Sequence, residues 1–202
     1  MCGISGILDW SQPQTQKILH DMIRRLIHRG PDAEGIFIES PIGLAHRRLS
    51  IIDLSEAANQ PMPDESGNYH IVFNGEIYNF KALRQDLKSS GSRFHTESDT
   101  EVLLEAYKKW GASCLERLNG MFALAIWDRP KRRLFLARDR LGKKPLFYFP
   151  LSEGGLVFAS ELKALLAHPA APRDMNMDAL NQYLSFGYVP GSTCIISGIK
   201  KL

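Results

Sequence analysis

The sequence predicts an α+β domain, because many short strand-like runs are interspersed with amphipathic helices. Few regular strand–helix–strand units occur, which disfavours a doubly wound parallel sheet. Of the 202 residues, 44% are hydrophobic and 23% are charged, a globular composition for one domain or for one domain and the start of another. About 165 residues of this pattern bury a sizeable core.

The first third of the chain is predicted to contain three strands and one long helix. The apolar run at 2–8 indicates the first strand, and a polar turn follows at 11–15. Apolar side chains then recur at helical spacing from 16 to 29, and Gly30-Pro31 ends this helix. The members of its apolar stripe are Ile18, Leu19, Met22, Ile23, Leu26 and Ile27. Two short strands, 35–39 and 42–46, follow.

The remaining elements alternate between apolar strands and short helices. A strand at 70–73 runs into Asn74-Gly75, and Ser98 and Glu101 form a capping box for a helix that Gly111 ends. The other predicted strands are 121–128, 134–139, 146–149 and 156–160, and the other helices are 79–88, 161–167 and 178–186.

Charge and cysteine content exclude several functional classes. The net charge of +3 is mild, and Lys131-Arg132-Arg133 is typical of a solvated turn, so nucleic-acid binding is disfavoured. Neither a secretory signal nor an apolar run of membrane-spanning length is present, so we expect no membrane partner. Three widely spaced cysteines, Cys2, Cys114 and Cys194, argue against a disulfide framework or a zinc site and predict a cytoplasmic protein.

Cys2 is the first candidate catalytic residue. Removal of Met1 would leave a thiol and a free α-amine on one residue, and the ordinary amine pKa of about 7.7–8.0 suits a proton acceptor. A nucleophile activated by its own terminal amine is an established form of covalent catalysis. The alternative is that Cys2 is a small apolar residue at the start of a buried strand.

Three further signals each have a structural and a functional interpretation. Asn74-Gly75 is a strong hairpin-turn dipeptide, but an Asn amide and a Gly N–H also make a two-donor oxyanion hole. Asp99 suits the first turn of a helix through the helix dipole alone. Arg47 and Arg48 interrupt an apolar strand, so each either faces solvent or has a partner in a cleft.

Eight segments, in order from residue 1 to about 166, carry a resemblance to a known family. They read MCGISG, HRGPD, LAHRRLSIID, FNGEIYN, SDTE, LNGMFA, RDRLGKKPL and FASELKAL. Together they resemble the class II, N-terminal-nucleophile glutamine amidotransferase domain of the asparagine synthetases. The resemblance implies a four-layer αββα sandwich of two antiparallel sheets between helices.

The resemblance also implies roles for individual residues. Cys2 attacks the side-chain amide of L-glutamine, its α-amine transfers the proton, and Asn74 and Gly75 hold the oxyanion. Arg48 clamps the substrate α-carboxylate; strand alternation puts Arg47 on the other face. Asp99 holds the α-ammonium together with backbone groups. The backbone groups and neighbouring contacts are expected at Leu49, Ser50, Ile51, Ile52 and Glu76. No metal or cofactor is expected in this domain.

The resemblance divides the chain at residue 168. Residues 2–168 are expected to be the glutaminase domain, and 169–202 the linker and start of a C-terminal synthetase domain. The Ser-Gly-Gly-x-Asp-Ser loop that binds ATP in that domain is not in these 202 residues, so ATP and Mg are expected to act in the missing part. A homodimer is possible. Two alternatives stay open: a non-aspartate acceptor in a polysaccharide or peptide pathway, and a non-catalytic module of the same fold.

Overall fold

The computed structural model describes residues 1–11 and 16–202. The predicted polar turn at 11–15 therefore falls almost entirely outside the described residues. The described residues form ten strands: β1 Gly3–Leu8, β2 Ala33–Glu39, β3 Ile42–Arg48, β4 Met62–Pro63, β5 Tyr69–Ile77, β6 Gly120–Asp128, β7 Arg133–Arg138, β8 Phe147–Pro150, β9 Leu156–Ala159 and β10 Lys200–Lys201.

In the same described ranges, five α-helices accompany the strands: α1 Gln16–Arg24, α2 Phe80–Ser89, α3 Asp99–Trp110, α4 Leu162–Leu165 and α5 Met177–Phe186. The start of α3 follows the predicted cap, because the Ser98 hydroxyl accepts the Glu101 N–H. The Glu101 carboxylate does not return to Ser98; it accepts the N–H groups of His95 and Thr96 instead. It thereby holds the loop that leads into the helix.

The strands form two sheets, and every strand pair is antiparallel. The six-stranded sheet has the order β10-β8-β9-β1-β3-β2, and the four-stranded sheet has the order β4-β5-β6-β7. In the first sheet β1 is central and pairs with β3 from Gly3↔Arg47 to Leu8↔Ile42. In the second, β5 pairs with β6 along its whole length, whereas β4 covers only His70 and Ile71.

Three hydrophobic cores show that the domain has four layers. One core fills the space between the sheets, with Ile4 and Leu44 from one side and Val72 and Trp127 from the other. A second lies between the six-stranded sheet and the helices α1 and α4. The third lies between the four-stranded sheet and the helices α2 and α3. The α+β class and the αββα layering expected from the resemblance are therefore confirmed.

The first helix is shorter than predicted. It ends at Arg24, and residues 25–29 continue as turns in which Leu26 N–H bonds Ile23 and Arg29 N–H bonds Leu26. Ile27 is 54% exposed, so its predicted place in the buried stripe is wrong. The tighter turns bring the chain down onto the sheet, where a Cβ on Gly30 would lie 2.4 Å from the carbonyl carbon of Arg47. Helical periodicity alone does not detect this change.

Asn74-Gly75 does not form a hairpin turn. Both residues lie within β5, opposite Ala123 and Phe122 of β6. The preference of Asn-Gly for tight turns is overridden by nine consecutive cross-strand pairs, which no local rule anticipates.

Residues after 168 pack onto the six-stranded sheet. Strand β10 pairs with β8, and Cys194 and Ile199 are buried in the core beside α1 and α4. Cys114 is likewise buried, in the core beside α3. The proposed boundary at residue 168 stays a prediction. Within the described part of the chain, no helix combines the length and apolarity needed to cross a bilayer.

Candidate active site

A cavity of about 190 Å³ opens at one end of the sandwich, between the two sheets. Continuing the register of β1 and β3 by one residue beyond Gly3↔Arg47 places Cys2 opposite Arg48. Both residues lie on the same face as Ile4 and Leu44, which point into the core between the sheets. The side chain of Asn74 follows Val72 on the inner face of the other sheet. Three predicted residues that are far apart in sequence therefore share one space.

Nearly all predicted site residues line this cavity. They are Cys2, Arg48, Leu49, Ile51, Ile52, Asn74, Gly75, Glu76 and Asp99. Ser50 is not among the lining residues, and its N–H is donated to the Asp32 carboxylate at 2.8 Å. Arg47 lies on the opposite face of β3 and forms an ion pair with Glu34, as strand alternation predicts.

The Cys2 thiol is held against the chain that follows β3. Its sulfur donates to the Leu49 carbonyl at 3.7 Å and accepts the Leu49 N–H at 3.5 Å. Burial raises the pKa of the thiol above its usual value. The carbonyl of Cys2 lies outside the strand ladder and accepts the Arg29 Nε–H at 2.8 Å. Glu161 in turn accepts an Arg29 Nη1 hydrogen bond at 2.8 Å.

The open edge of β5 presents backbone N–H groups to the cavity. Because alternate residues of a strand direct their N–H groups to the same edge, Phe73, Gly75 and Ile77 form one row. The outer two are occupied: Phe73 N–H donates to the Gln60 side chain at 2.6 Å, and Ile77 N–H donates to Asp99 at 3.0 Å. The N–H of Gly75, between them, faces the cavity.

The pairing of Phe122 supports this orientation of Gly75. Phe122 lies opposite Gly75, but its N–H and C=O bond Asp139, on the far side of β6. The Gly75 N–H therefore does not turn toward β6. A Cβ on Gly75 would lie 2.3 Å from the Met121 carbonyl oxygen, so only glycine fits this close approach of the two strands.

The Asn74 side chain supplies a second donor. The residue is 1% exposed, and its amide nitrogen Nδ2 has no hydrogen-bond partner among the described residues. A buried polar group without a partner is costly, and such groups are often found where a ligand supplies the missing bond. The donors Asn74 Nδ2–H and Gly75 N–H belong to adjacent residues and border the same cavity.

Arg48 is a buried cation fixed by the loop after β3. Its Nη1 donates to the Ser55 carbonyl at 2.7 Å and to Asn59 Oδ1 at 2.8 Å, and its Nη2 bonds the Asp53 carbonyl. A guanidinium carries five N–H donors, so these three bonds set its plane and leave donors for a ligand. None of these three acceptors is a carboxylate, so they do not neutralise the positive charge of Arg48.

Asp99 supplies a negative charge to the cavity, opposite in sign to Arg48. It is 5% exposed, and burial raises the pKa of its carboxyl to about 6, despite the lowering effect of the Ile77 N–H bond. The nearby Glu76 carboxylate raises it further. A carboxylate in this setting is ionised at neutral pH but at a cost that a bound cation would relieve.

Comparison with known proteins identifies the family. A family model described as "Glutamine amidotransferase domain" matches residues 1–202, the whole chain. The chain belongs to the glutamine amidotransferase domain family. It is 40% identical over 209 residues to an asparagine synthetase (glutamine-hydrolysing) of Bacillus subtilis, and 37% identical over 185 residues to a protein of Gibberella zeae named as an amidase. These alignments cover 100% and 85% of this chain.

The glutamine amidotransferase fold is also found among solved structures. The glutamine phosphoribosylpyrophosphate amidotransferase of B. subtilis superposes with a TM-score of 0.69 over 82% of this chain and 43% of that chain. At 24% identity this match shows the fold alone. The chain spans about a third of the length of the curated relatives: 32% of the B. subtilis synthetase and 27% of the amidase.

Sequence reasoning missed three residues of this candidate site. Arg29 lies in the HRGPD segment, which carries part of the resemblance but was given no predicted role; its Nε–H donates to the Cys2 carbonyl. Lys144 is buried at the cavity wall, with its Nζ 3.2 Å from the Met1 sulfur. Gln60 lines the cavity and bonds β5. No spacing rule connects Gln60 or Lys144 with Cys2, whereas the motif around Arg29 offered a signal.

Proposed function

We propose that this domain hydrolyses L-glutamine to glutamate and ammonia through a thioester on Cys2. The observation that carries the proposal is the buried amide nitrogen of Asn74, which has no hydrogen-bond partner among the described residues and lies in the same cavity as the Cys2 thiol. A thiol beside two convergent donors suits acyl transfer. A cation, Arg48, and an anion, Asp99, in the same cavity suit the two charged ends of a free amino acid.

The reaction begins with removal of Met1. Met1 lines the cavity, so its loss both frees the Cys2 α-amine and opens space beside the thiol. The amine takes the thiol proton, and sulfur attacks the glutamine amide carbon. Asn74 and Gly75 donate to the resulting oxyanion, and the C–N bond breaks as the amine returns its proton to departing ammonia. Water then cleaves the thioester and releases glutamate and the thiol.

Substrate selection follows from the charges of the site. Arg48 pairs with the α-carboxylate, for which a planar guanidinium is better suited than an ammonium. Asp99 and backbone groups near Glu76, Ile51 and Ile52 receive the α-ammonium. Because the thiol lies in a buried pocket, a neutral side-chain amide enters it at lower desolvation cost than the carboxylate of glutamate. Ser50 would contribute through its carbonyl, since its N–H is engaged by Asp32.

We further propose that the ammonia serves a second domain of a longer cytoplasmic protein, an ATP- and Mg-dependent synthetase that converts aspartate to asparagine. The boundary would follow residue 168. The name of the B. subtilis relative and the length of the relatives support this. So does an apolar surface on and after α5, where Tyr183, Leu184, Phe186 and Tyr188 are exposed. Exposed apolar patches of this kind mark interaction sites.

A second candidate keeps the same glutaminase reaction but another acceptor. The amidase relative matches 85% of this chain at 37% identity, close to the values for the synthetase, so the domain alone does not select aspartate. Aspartate- and ATP-dependent formation of asparagine by the full-length protein would support the first candidate; glutamine hydrolysis without asparagine formation would support the second.

The glutaminase proposal is tested by measuring glutamate and ammonia released from glutamine. We expect turnover by the Met1-trimmed protein and none above background for Cys2→Ala. Cys114→Ala is the matched control, because Cys114 is buried in the core beside α3 and outside the cavity. An uncleaved N-terminal extension should also abolish turnover. Residual hydrolysis by Cys2→Ala would contradict the assignment of the nucleophile.

A further inference from the structure

We propose that Gln60 is a positioning residue that fixes the oxyanion-binding strand relative to the helix start that receives the substrate ammonium. The inference rests on the proposed glutaminase reaction and adds a residue that the catalytic motifs do not contain. Gln60 is 7% exposed and lies in the loop between β3 and β4. Its side chain bonds two elements, one on each side of the cavity.

The first contact closes the edge of β5 next to the oxyanion donors. Strand β4 pairs with β5 only at His70 and Ile71, so Phe73 has no strand neighbour on that edge. The Gln60 Oε1 accepts the Phe73 N–H at 2.6 Å, and the Nε2 of buried His46 bonds the Phe73 carbonyl at 3.2 Å. Because a carbonyl only accepts, His46 carries its proton on Nε2. Two side chains thus substitute for a missing strand immediately before Asn74.

The second contact reaches the start of α3. The Gln60 Nε2–H donates to the Thr100 hydroxyl at 3.2 Å. Thr100 is buried and follows Asp99, whose carboxylate accepts the Ile77 N–H of the same strand β5. Gln60, Phe73, Ile77, Asp99 and Thr100 therefore form a closed ring of covalent and hydrogen-bonded links.

The ring spans both ends of the proposed substrate. Gly75 lies between Phe73 and Ile77 and faces the reacting amide, whereas Asp99 faces the α-ammonium. Glutamine is the side chain that suits this position, since its amide both accepts and donates at a length that reaches both elements. A carboxylate would lose the donor. Because Gln60 accepts the Phe73 N–H and Asp99 accepts the Ile77 N–H, Gly75 is the donor of this row that remains for the substrate. The oxyanion can therefore bind at one position along the strand.

The backbone of Gln60 is itself held tightly. A Cβ on Gly35 would lie 2.0 Å from the Gln60 carbonyl oxygen, so β2 approaches the loop as closely as glycine permits. The preceding residue, Asn59, accepts a hydrogen bond from Arg48 at 2.8 Å. The loop that carries Gln60 is therefore connected to the residue proposed to bind the α-carboxylate. The oxyanion donors, the group that binds the α-ammonium and the group that binds the α-carboxylate of the substrate therefore all depend on this one loop.

The test compares Gln60→Met, which keeps side-chain length but removes both hydrogen bonds, with Thr100→Val, which removes one. We expect Gln60→Met to lower kcat about tenfold, because misplacement of donors by a fraction of an ångström weakens transition-state stabilisation. We expect KM for glutamine to rise about fivefold in both variants, the effect of one neutral hydrogen bond. Thr100→Val should change kcat less than Gln60→Met does. The double variant should show the KM of Gln60→Met, since the shared bond is already lost.

Leu87→Ala is the stability control. Leu87 is fully buried in α2, in the core on the far side of the four-stranded sheet. It should lower the melting temperature at least as much as Gln60→Met but leave kcat and KM within about twofold of wild type, in the range of experimental scatter. If Gln60→Met behaves like Leu87→Ala, Gln60 has only a structural role and the inference is wrong.

A binding measurement separates this inference from the proposed function. Glutamine affinity is measured by calorimetry in the Cys2→Ala protein, with and without Gln60→Met. A Kd about fivefold weaker with Gln60→Met supports the inference whether or not turnover occurs. An unchanged Kd overturns it, even where the wild-type protein hydrolyses glutamine. Absence of turnover by the trimmed wild-type protein would contradict the proposed function alone.

Discussion

Replacing Asp99 by asparagine should make the protein more stable and a weaker binder of glutamine. Burial raises the pKa of the Asp99 carboxyl from 3.8 to about 6 in the folded protein. The folded state therefore binds a proton more tightly than the unfolded state does. By linkage, stability falls as pH rises from 3.8 through about 6, and the full penalty is present at neutral pH.

The size of the effect follows from this shift. About two pKa units correspond to about 3 kcal/mol of unfolding free energy at pH 7.5. This figure already includes the N–H groups at the start of α3, which lower the pKa of Asp99 and thus oppose the effect of burial. We therefore expect Asp99→Asn to stabilise by about 3 kcal/mol, which raises Tm by about 6–12 °C for a protein of this length.

The assay is thermal unfolding of both proteins at pH 8 and at pH 5, together with KM for glutamine. The gain in Tm should shrink at pH 5, where wild-type Asp99 is largely protonated. KM should rise about a hundredfold at pH 8, the effect of removing one member of a buried charge pair. For the wild type, kcat/KM should decline as pH falls through about 6. A lower Tm for Asp99→Asn at pH 8, or an unchanged KM, would refute the reasoning.

Three other substitutions test separate parts of the site. Asn74→Ala should lower kcat about 10²–10³-fold with little change in KM, measured by steady-state glutamate release; an equal effect on KM would argue for ground-state binding instead. Arg48→Lys should raise KM more than tenfold because a point cation cannot keep both the loop contacts and a two-pronged bond, and an unchanged KM would show that the α-carboxylate binds elsewhere. Gly75→Ala should lower Tm and abolish activity, because its Cβ would lie 2.3 Å from the Met121 carbonyl; a wild-type Tm would mean that the strands separate at no cost.

Much of the fold could be predicted because its patterns are local. Strand alternation separated Arg47 from Arg48, and the cap at Ser98 marked the start of α3. The end of α1 could not be predicted from the sequence. The chain leaves the helix at Arg24 and continues as tighter turns because Arg29 and Gly30 pack against the sheet, and this is a tertiary contact. The same holds for Asn74-Gly75, where cross-strand pairing overrides a turn preference.

The candidate reactive residues could be recognised in the sequence, but the residues that hold them in position could not. Cys2, Asn74 and Asp99 are of residue types that carry reactions and stand in recognisable segments. Gln60 has no such signature, since its importance arises from the short β4, which leaves Phe73 without a strand partner. Lys144 stands in the segment RDRLGKKPL, which predicts no role for it in the site, and only the packing shows its ammonium beside Met1. Such contacts depend on which loop packs against which edge of a sheet, and local sequence patterns do not specify this.

The most direct test of the account is intact-protein mass spectrometry before and after treatment with 6-diazo-5-oxo-L-norleucine, a glutamine analogue that alkylates nucleophiles of this kind. We predict a mass that lacks Met1 and gains a single adduct, which peptide mapping assigns to Cys2 and which excess glutamine suppresses. Cys114 and Cys194 are buried and serve as internal controls. An adduct on either of them, or glutamine hydrolysis that survives full alkylation of Cys2, would contradict the claim that Cys2 is the nucleophile.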